Sequence, residues 1–211
     1  DGSVALAREE FPRPGTTMET LAQLNPSFPG MDGLSFEQTS KTMRELIEQK
    51  YPGVELRHVH HAGNSSGVVD GAGAVLIAAP EYARAHGLTP RARMVMSAVA
   101  ADEPLIMLTA PGPAANRCLQ RAGMTVDDID LFEVNEAFAS VVLRFFDDTG
   151  ADPDSVNVNG GAIALGHPIG ATGAMLIGTL VDELERRDLS TGMVAMCTGG
   201  GMGTATIIER I

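Results

Sequence analysis

Apolar residues recur along the chain with the periods of helices and strands, and that pattern assigns most of its elements. Glu136 to Asp148 carries Phe138, Val141, Val142 and Phe145 at i, i+3, i+4 and i+7, the stripe of an amphipathic helix. The same period returns after Gly173 in Ala174, Met175, Leu176, Ile177, Leu180, Val181 and Leu184, and runs into a charged end from Asp182 to Asp188. Pro113 to Ala122 reads as a further helix. Between these lie strand-like runs: residues 91–109 (a strand and a proline-bounded loop), Ile129–Val134, Ser155–Asn159, Met193–Thr198 and Thr204–Glu209. Strands alternating with helices predict an α/β fold, a sheet with helices on its faces.

The first third is patterned differently. Residues 1–34 are loop-rich, with Pro12, Pro14, Pro26 and Pro29 and one short helix signal, Thr16 and Glu19 at capping-box spacing. Ser35 and Gln38 repeat the spacing and open a helix with Met43, Leu46 and Ile47 on one face, ended by Pro52 and Gly53. Val54 to Val59 alternates like a strand. A small-residue segment follows, then a strand-like run from Ala74 to Ala78 and a short helix from Pro80 closed by Gly87. The composition shifts near residue 67.

Composition narrows the functional classes. A net charge of -12 argues against a general nucleic-acid or anionic-membrane surface, so an anionic substrate would need a local Lys/Arg cluster. The two cysteines, Cys118 and Cys197, cannot build a disulfide framework, which points to a reducing, cytoplasmic setting. No hydrophobic run approaches ~18 residues, so no membrane span is expected. With 11 Met and no Trp, the core is expected to be aliphatic with adaptable sulfur-containing fillers. The chain opens at Asp1 in mid-pattern without Met, the expectation for a fragment.

The chemistry concentrates in Asn157–Gly173, NVNGGAIALGHPIGATG, with five glycines around a single titratable side chain, His167. A strand, a glycine-rich turn and a helix N-terminus would set free N–H groups beside an aimed histidine. A tight turn with a solvent-facing histidine accounts for the same residues. Asn135 in VNEAF and Cys197 in MCTGGGMG also follow predicted strands, where α/β sheets place ligands. Histidine can take a proton from a thiol, a glycine-flanked thiol can exchange protons, and Gly199 to Gly201 offer oxyanion donors. Each has a plainer reading: Cys197 as core, Asn135 as the N-cap of the helix at Glu136. His58, His60 and His61 lack zinc-site spacing, so no metal is expected, and Cys118 reads as packing.

Together NEAF, GGAIALGHPIGATG and CTGGGMG resemble the C-terminal half of a thiolase, and PRPGTTMETLAQLNPSF at 12–28 and AGNSSGVVDGAGAVLI at 62–77 extend the likeness. The resemblance implies a layered fold of helices packed on mixed sheets. It implies that His167 activates a nucleophilic cysteine and lines an oxyanion hole with a water held by Asn135. Cys197 would be the general acid/base toward the acetyl-CoA carbanion, and the Gly199 amide part of a second oxyanion hole. Ser66, with Ala62 and Gly67, would contact the pantetheine of coenzyme A, the co-substrate, with no permanently bound cofactor. Met107 and Phe138 would line the acyl pocket.

Two departures qualify the likeness. The family's nucleophilic cysteine lies in its N-terminal half, and neither cysteine here occupies that motif. Residues 1–67 would then be the tail of the loop domain, 68–90 the last strand and helix of the N-terminal half, and 91–211 the C-terminal half. The partners implied are acyl-CoA substrates, that N-terminal half, and further copies in a homodimer or homotetramer. The segment from Met31 to Leu56 is long for short-chain members and carries Lys41 and Arg44, candidates for the coenzyme phosphates. The expectation is a degradative 3-ketoacyl-CoA thiolase, resembling actinobacterial members that act on steroid side chains or long acyl chains. The alternatives are biosynthetic acetoacetyl-CoA condensation and an inactive lipid-binding homologue.

Overall fold

The computed structural model describes residues 3–4, 7–36 and 39–211. An irregular arm comes first, carrying helix α1 (Met18–Leu21), the short strands β1 (Ser35–Phe36) and β2 (Lys41–Thr42), and helix α2 (Met43–Lys50). Helix α3 (Pro80–Ala85) leads to strand β3 (Ala92–Ala101) and helix α4 (Pro111–Ala122). Then follow β4 (Leu131–Val134), α5 (Ala139–Thr149), α6 (Ala162–Leu165), α7 (Thr172–Arg187), β5 (Thr191–Thr198) and β6 (Met202–Arg210).

The sheet runs β3–β6–β5–β4. Strand β6 is antiparallel to both β3 and β5, whereas β5 is parallel to β4. A parallel pair needs a long crossover, which residues 135–190 supply with α5, α6 and α7. The period of two in the strands sorts side chains between the faces. Phe132, Val134, Met193, Ala195, Ala205 and Ile207 pack with Ala114, Ala115, Cys118 and Phe145 of α4 and α5. Leu131, Val194 and Ile208 pack with Leu180, Val181 and Leu184 of α7. This is the α/β architecture of helices on a mixed sheet, and Cys118 is core as expected, fully buried.

The arm is fastened at the carboxyl end of β4. Ser66 N donates to Ala137 O at 3.0 Å and Ala139 N to Asn64 O at 2.9 Å. His60 Nε2 lies 2.9 Å from Ser140 Oγ, and the rings of Phe28, His60 and Phe138 meet edge to face. Farther out, Lys50 pairs with Glu103 at 3.0 Å. Residues 67–73 then run along the His167 loop, with Gly71 against Pro168 and Gly73 against Ala174 of α7.

Several expected elements form differently. Val54–Val59, Ala74–Ala78 and Ser155–Asn159 are not strands, because periodicity does not supply a strand to pair with: among the described residues the first two pair with none, and the third makes only isolated bridges, Val156 to Phe132 and Val158 to Gly160. Leu76 and Ile77 accordingly stay exposed. Helix α1 is capped by Thr17 with Thr20, not by Thr16 with Glu19. Helix α2 starts at Thr42 with Glu45; Ser35 lies in β1, and Gln38 is outside the described residues. Helix α5 starts three residues later than its apolar stripe suggests, because Phe138 is extended and bridged to Ser65.

Gly203 gives a test of this packing. A Cβ there would lie 2.5 Å from the backbone C and O of Ala110, whereas Gly178 inside α7 faces open space. Gly203→Ala is expected to destabilise the fold by about 1–3 kcal/mol, and Gly178→Ala to stabilise it by about 0.5–1 kcal/mol. Urea unfolding midpoints check both; a Gly203→Ala midpoint equal to wild type contradicts the contact.

Candidate active site

Strand β4 delivers Asn135 one residue past its end. Asn135 N donates to Ala195 O at 2.9 Å, continuing the parallel ladder, and the side chain is only 1% exposed. It is therefore a strand-end residue, and the reading of Asn135 as an N-cap fails: the N-cap of α5 is Phe138. The glycine-rich stretch returns to the same place. Asn157 N donates to Phe132 O at 2.8 Å. Its side-chain amide then pairs with Val134 both ways, accepting from Val134 N at 2.7 Å and donating to Val134 O at 2.8 Å. That amide does what a neighbouring strand's peptide group would do. Asn157 has φ 49°, a left-handed value that Asn tolerates and that turns the chain away.

His167 is held at three points. Its backbone N donates to Gly67 O at 2.8 Å, its Nδ1 lies 2.7 Å from Thr172 Oγ1, and its Nε2 lies 3.4 Å from Asn135 Nδ2. The ring is thus no solvent-facing turn residue. An amide nitrogen only donates, so Nε2 accepts, and Nδ1 carries the proton toward the threonine hydroxyl. Burial lowers the ring's pKa. A neutral imidazole with its Nε2 lone pair on the Asn135 side is a ready proton acceptor. Asn135 Oδ1 is buried with no protein partner among the described residues, so it keeps an acceptor site.

Cys197 stands two residues beyond Ala195 on β5, at the sheet end that carries Asn135. It is half-buried rather than core, and burial raises its pKa, which keeps the proton on sulfur near neutrality and suits a proton donor. Gly199–Gly201 form the β5–β6 turn, with φ 82° at Gly200 and 77° at Gly201. Gly201 rests on the backbone of Glu103 and Pro104, which leaves no room for a Cβ, while the space beside Gly199 is open.

The other expected residues are distributed around this centre. Ala62, Ser66 and Gly67 line a groove of about 510 Å³ with Arg13, Thr20 and Ile163. Phe138 sits between the groove segment and α5, against Phe28 and His60. Met107 is 40% exposed with φ 62°, in the turn that Glu103 organises. Lys41 is hydrogen-bonded to Gln49, and Arg44 pairs with Asp32 and Glu48, so a phosphate contact from either requires those pairs to open. The three arm histidines have separate partners: Asp32 for His58, Ser140 for His60 and the Gly63 amide for His61.

Sequence reading missed several members. Thr172, Asn157 and the acids Glu136 and Glu183 hold the His167 stretch, Glu133 lies buried within reach of both acids' charge, and Arg13 and Thr20 border the groove. Thr172 carried a usable signal as the hydroxyl at the first position of the helix after the histidine. Glu133 carried another, as an acid inside an apolar strand. It is 3% exposed; burial, then the charges of Glu136 and Glu183, push its pKa to about 8. Glu183, by contrast, is held well below the usual carboxylate range by Arg186, Asn159 and Arg187.

A half-buried histidine paired with an asparagine lies at the same sheet end as a half-buried thiol on the next strand, a set that can take and give protons. In comparison with known proteins, the family described as "Thiolase, C-terminal domain" matches residues 88–210. The acetyl-CoA acetyltransferase of Thiocystis violacea is 43% identical over 203 residues, covering 96% of this chain and 45% of that protein. Steroid 3-ketoacyl-CoA thiolase FadA6 of Mycobacterium tuberculosis is 50% identical over 150 residues, covering 71% and 37%. Human mitochondrial 3-ketoacyl-CoA thiolase, solved in complex with CoA, superposes with a TM-score of 0.80 at 40% identity, covering 96% of this chain and 45% of that one. The chain belongs to the thiolase family. It spans about half the length of the curated relatives it matches.

The buried acid gives a pH test. Between the ordinary carboxylate range and about 8, Glu133 is protonated when folded and ionised when unfolded. Stability should therefore fall as pH rises through that window, by at most about 1.4 kcal/mol per pH unit, and level off above it. Glu133→Gln removes the titration, so its advantage over wild type should grow from pH 5 to pH 8. Denaturation midpoints measured across that range check this; parallel curves for the two proteins contradict it.

Proposed function

We propose that this chain is the C-terminal part of a degradative 3-ketoacyl-CoA thiolase, which cleaves a 3-ketoacyl-CoA with CoA into acetyl-CoA and a shortened acyl-CoA. The observation that carries the reading is the pairing of His167 with Asn135 beside Cys197 at one sheet end. A nucleophilic cysteine is supplied by polypeptide outside residues 1–211, the N-terminal half of the enzyme. In that arrangement residues 1–67 are the tail of the loop domain, 68–90 complete the N-terminal half and 91–211 form the C-terminal half. A homodimer or homotetramer is the assembly expected.

The neutral His167 takes the proton of the nucleophilic thiol at Nε2, and the thiolate adds to the substrate's C3 carbonyl. Breaking the C2–C3 bond leaves an acyl-enzyme and the enolate of acetyl-CoA, which takes its proton from Cys197. The Gly199 amide and a water on Asn135 stabilise the oxyanions. CoA thiol then gives its proton to the Cys197 thiolate and takes the acyl group, and the released nucleophilic cysteine recovers its proton from the His167 imidazolium. The coenzyme's pantetheine lies against Ala62, Ser66 and Gly67, with Arg13 as a cation at the same groove. Met107 and Phe138 bound the acyl group.

A long or steroidal acyl group is the substrate favoured here. Met107 is exposed and unbranched, suited to a broad apolar ligand, and the similarity to a steroid 3-ketoacyl-CoA thiolase supports the choice. Acetoacetyl-CoA synthesis is the second reading, supported by the similarity to the Thiocystis violacea acetyltransferase. The test compares wild type and Cys197→Ala in the full-length polypeptide. Wild type should show higher kcat/KM for a steroid or long-chain 3-ketoacyl-CoA than for acetoacetyl-CoA. The variant should still acylate the nucleophile but lose deuterium exchange at C2 of acetyl-CoA. Retained exchange overturns the acid/base assignment, and a preference for acetoacetyl-CoA overturns the substrate class.

A further inference from the structure

Glu136 follows Asn135 directly and has no part in the chemistry above, yet it lies under the stretch that carries His167. Its Oε1 accepts from Asn157 Nδ2 at 3.2 Å, and its Oε2 accepts from the backbone N of Ile163 at 3.0 Å. Ile163 is the second residue of α6, a helix of four residues that runs straight into Gly166 and His167. The same carboxyl group explains a glycine: a Cβ on Gly161 would lie 2.4 Å from Glu136 Cδ. The loop is thus wrapped on the carboxylate, with backbone on one side and the Asn157 amide on the other.

Both partners of Glu136 are donors, so both of its oxygens must accept. A carboxylate does this at both atoms, whereas Gln offers one acceptor and turns a donor toward the other partner. Asn157 in turn is locked to Val134 by the two bonds of its amide. Three consecutive residues therefore grip the stretch: Val134 through Asn157, Asn135 through the His167 ring, and Glu136 through α6. Slack at the α6 end would move the ring against an Asn135 contact that is already 3.4 Å long. Misplacements on the ångström scale cost about 10²-fold in rate.

We infer that Glu136 is a positioning residue for His167, its carboxylate clamping Asn157 and the first turn of α6 so that the ring keeps its register with Asn135. This rests on the function proposed above for His167. The experiment uses the full-length polypeptide with Glu136→Gln and Glu136→Ala. Steady-state thiolysis, thermal unfolding and a ¹⁵N titration of the His167 ring are measured for each. Expected for Gln is a fall in kcat of about 10- to 100-fold with KM for the acyl-CoA within about threefold, the split that marks a residue acting after binding. The ring's titration midpoint should rise toward that of an ordinary histidine as the loosened ring gains water. Ala should resemble Gln in kcat and titration, because Gln loses one acceptor and Ala both, and either loss opens the clamp.

A lowered melting temperature with kcat and the ring titration unchanged overturns the inference, leaving Glu136 a structural residue only. Wild-type activity on no 3-ketoacyl-CoA would instead defeat the proposed function. In that event the ring titration still decides the clamp: a shifted midpoint in the Gln variant supports it, and an unshifted one overturns it. If Ala fails to fold, the near-isosteric Gln carries the test.

Discussion

The amide of Asn157 bonded to both peptide groups of Val134 is the contact on which the site depends. Strand β4 is an edge strand, so its outer N–H and C=O groups need partners. A full neighbouring strand would satisfy them but would carry the chain straight past the sheet end. A side-chain amide satisfies them and leaves the backbone free to turn left-handed at once. The glycine-rich stretch can therefore fold back over the end of β4 and bring His167 to Asn135. Buried polar groups with complete partners give a single arrangement, and an unsatisfied amide here would cost about 1–3 kcal/mol.

From that contact the rest of the site follows in layers. The parallel β4–β5 pairing sets Val134 level with Ala195 and gives the Asn135 N–H to Ala195 O, which leaves Cys197 one pleat beyond Ala195 at the same sheet end. Thr172, the first residue of α7, meets Nδ1 and leaves Nε2 as the basic atom. The arm closes the other side, since Gly67 receives the His167 amide and Ser66 donates to Ala137. Burial acts on the two chemical groups in opposite directions that suit opposite roles, holding the imidazole neutral and the thiol protonated.

The sheet and its large helices were legible because their periodicity is intrinsic to segments that pack on each other, as in α7 with Leu180, Val181 and Leu184 against β4 and β5. Val54–Val59 alternates and Ala74–Ala78 is a short apolar run, but neither has a pairing strand among the described residues, and a strand-like pattern alone does not make a strand. At the site, His167, Asn135 and Cys197 stood out by residue type within three short motifs. Asn157, Glu136 and Thr172 did not, because an amide, an acid and a hydroxyl near turns have many ordinary uses. Their roles exist only once distant segments meet: Asn157 is 23 residues from Val134 in the chain, and Ile163 is 27 from Glu136.

The central claim is that His167 and Asn135 work as one unit, set in register by the end of β4. A double-mutant cycle on kcat in the full-length polypeptide, with Asn135→Ala, His167→Ala and both together, measures that coupling directly. Strong non-additivity is expected, with the double variant within about threefold of His167→Ala alone, as for residues that share one catalytic task. Multiplicative losses, each variant reducing kcat by the same factor whether or not the other is present, would contradict it.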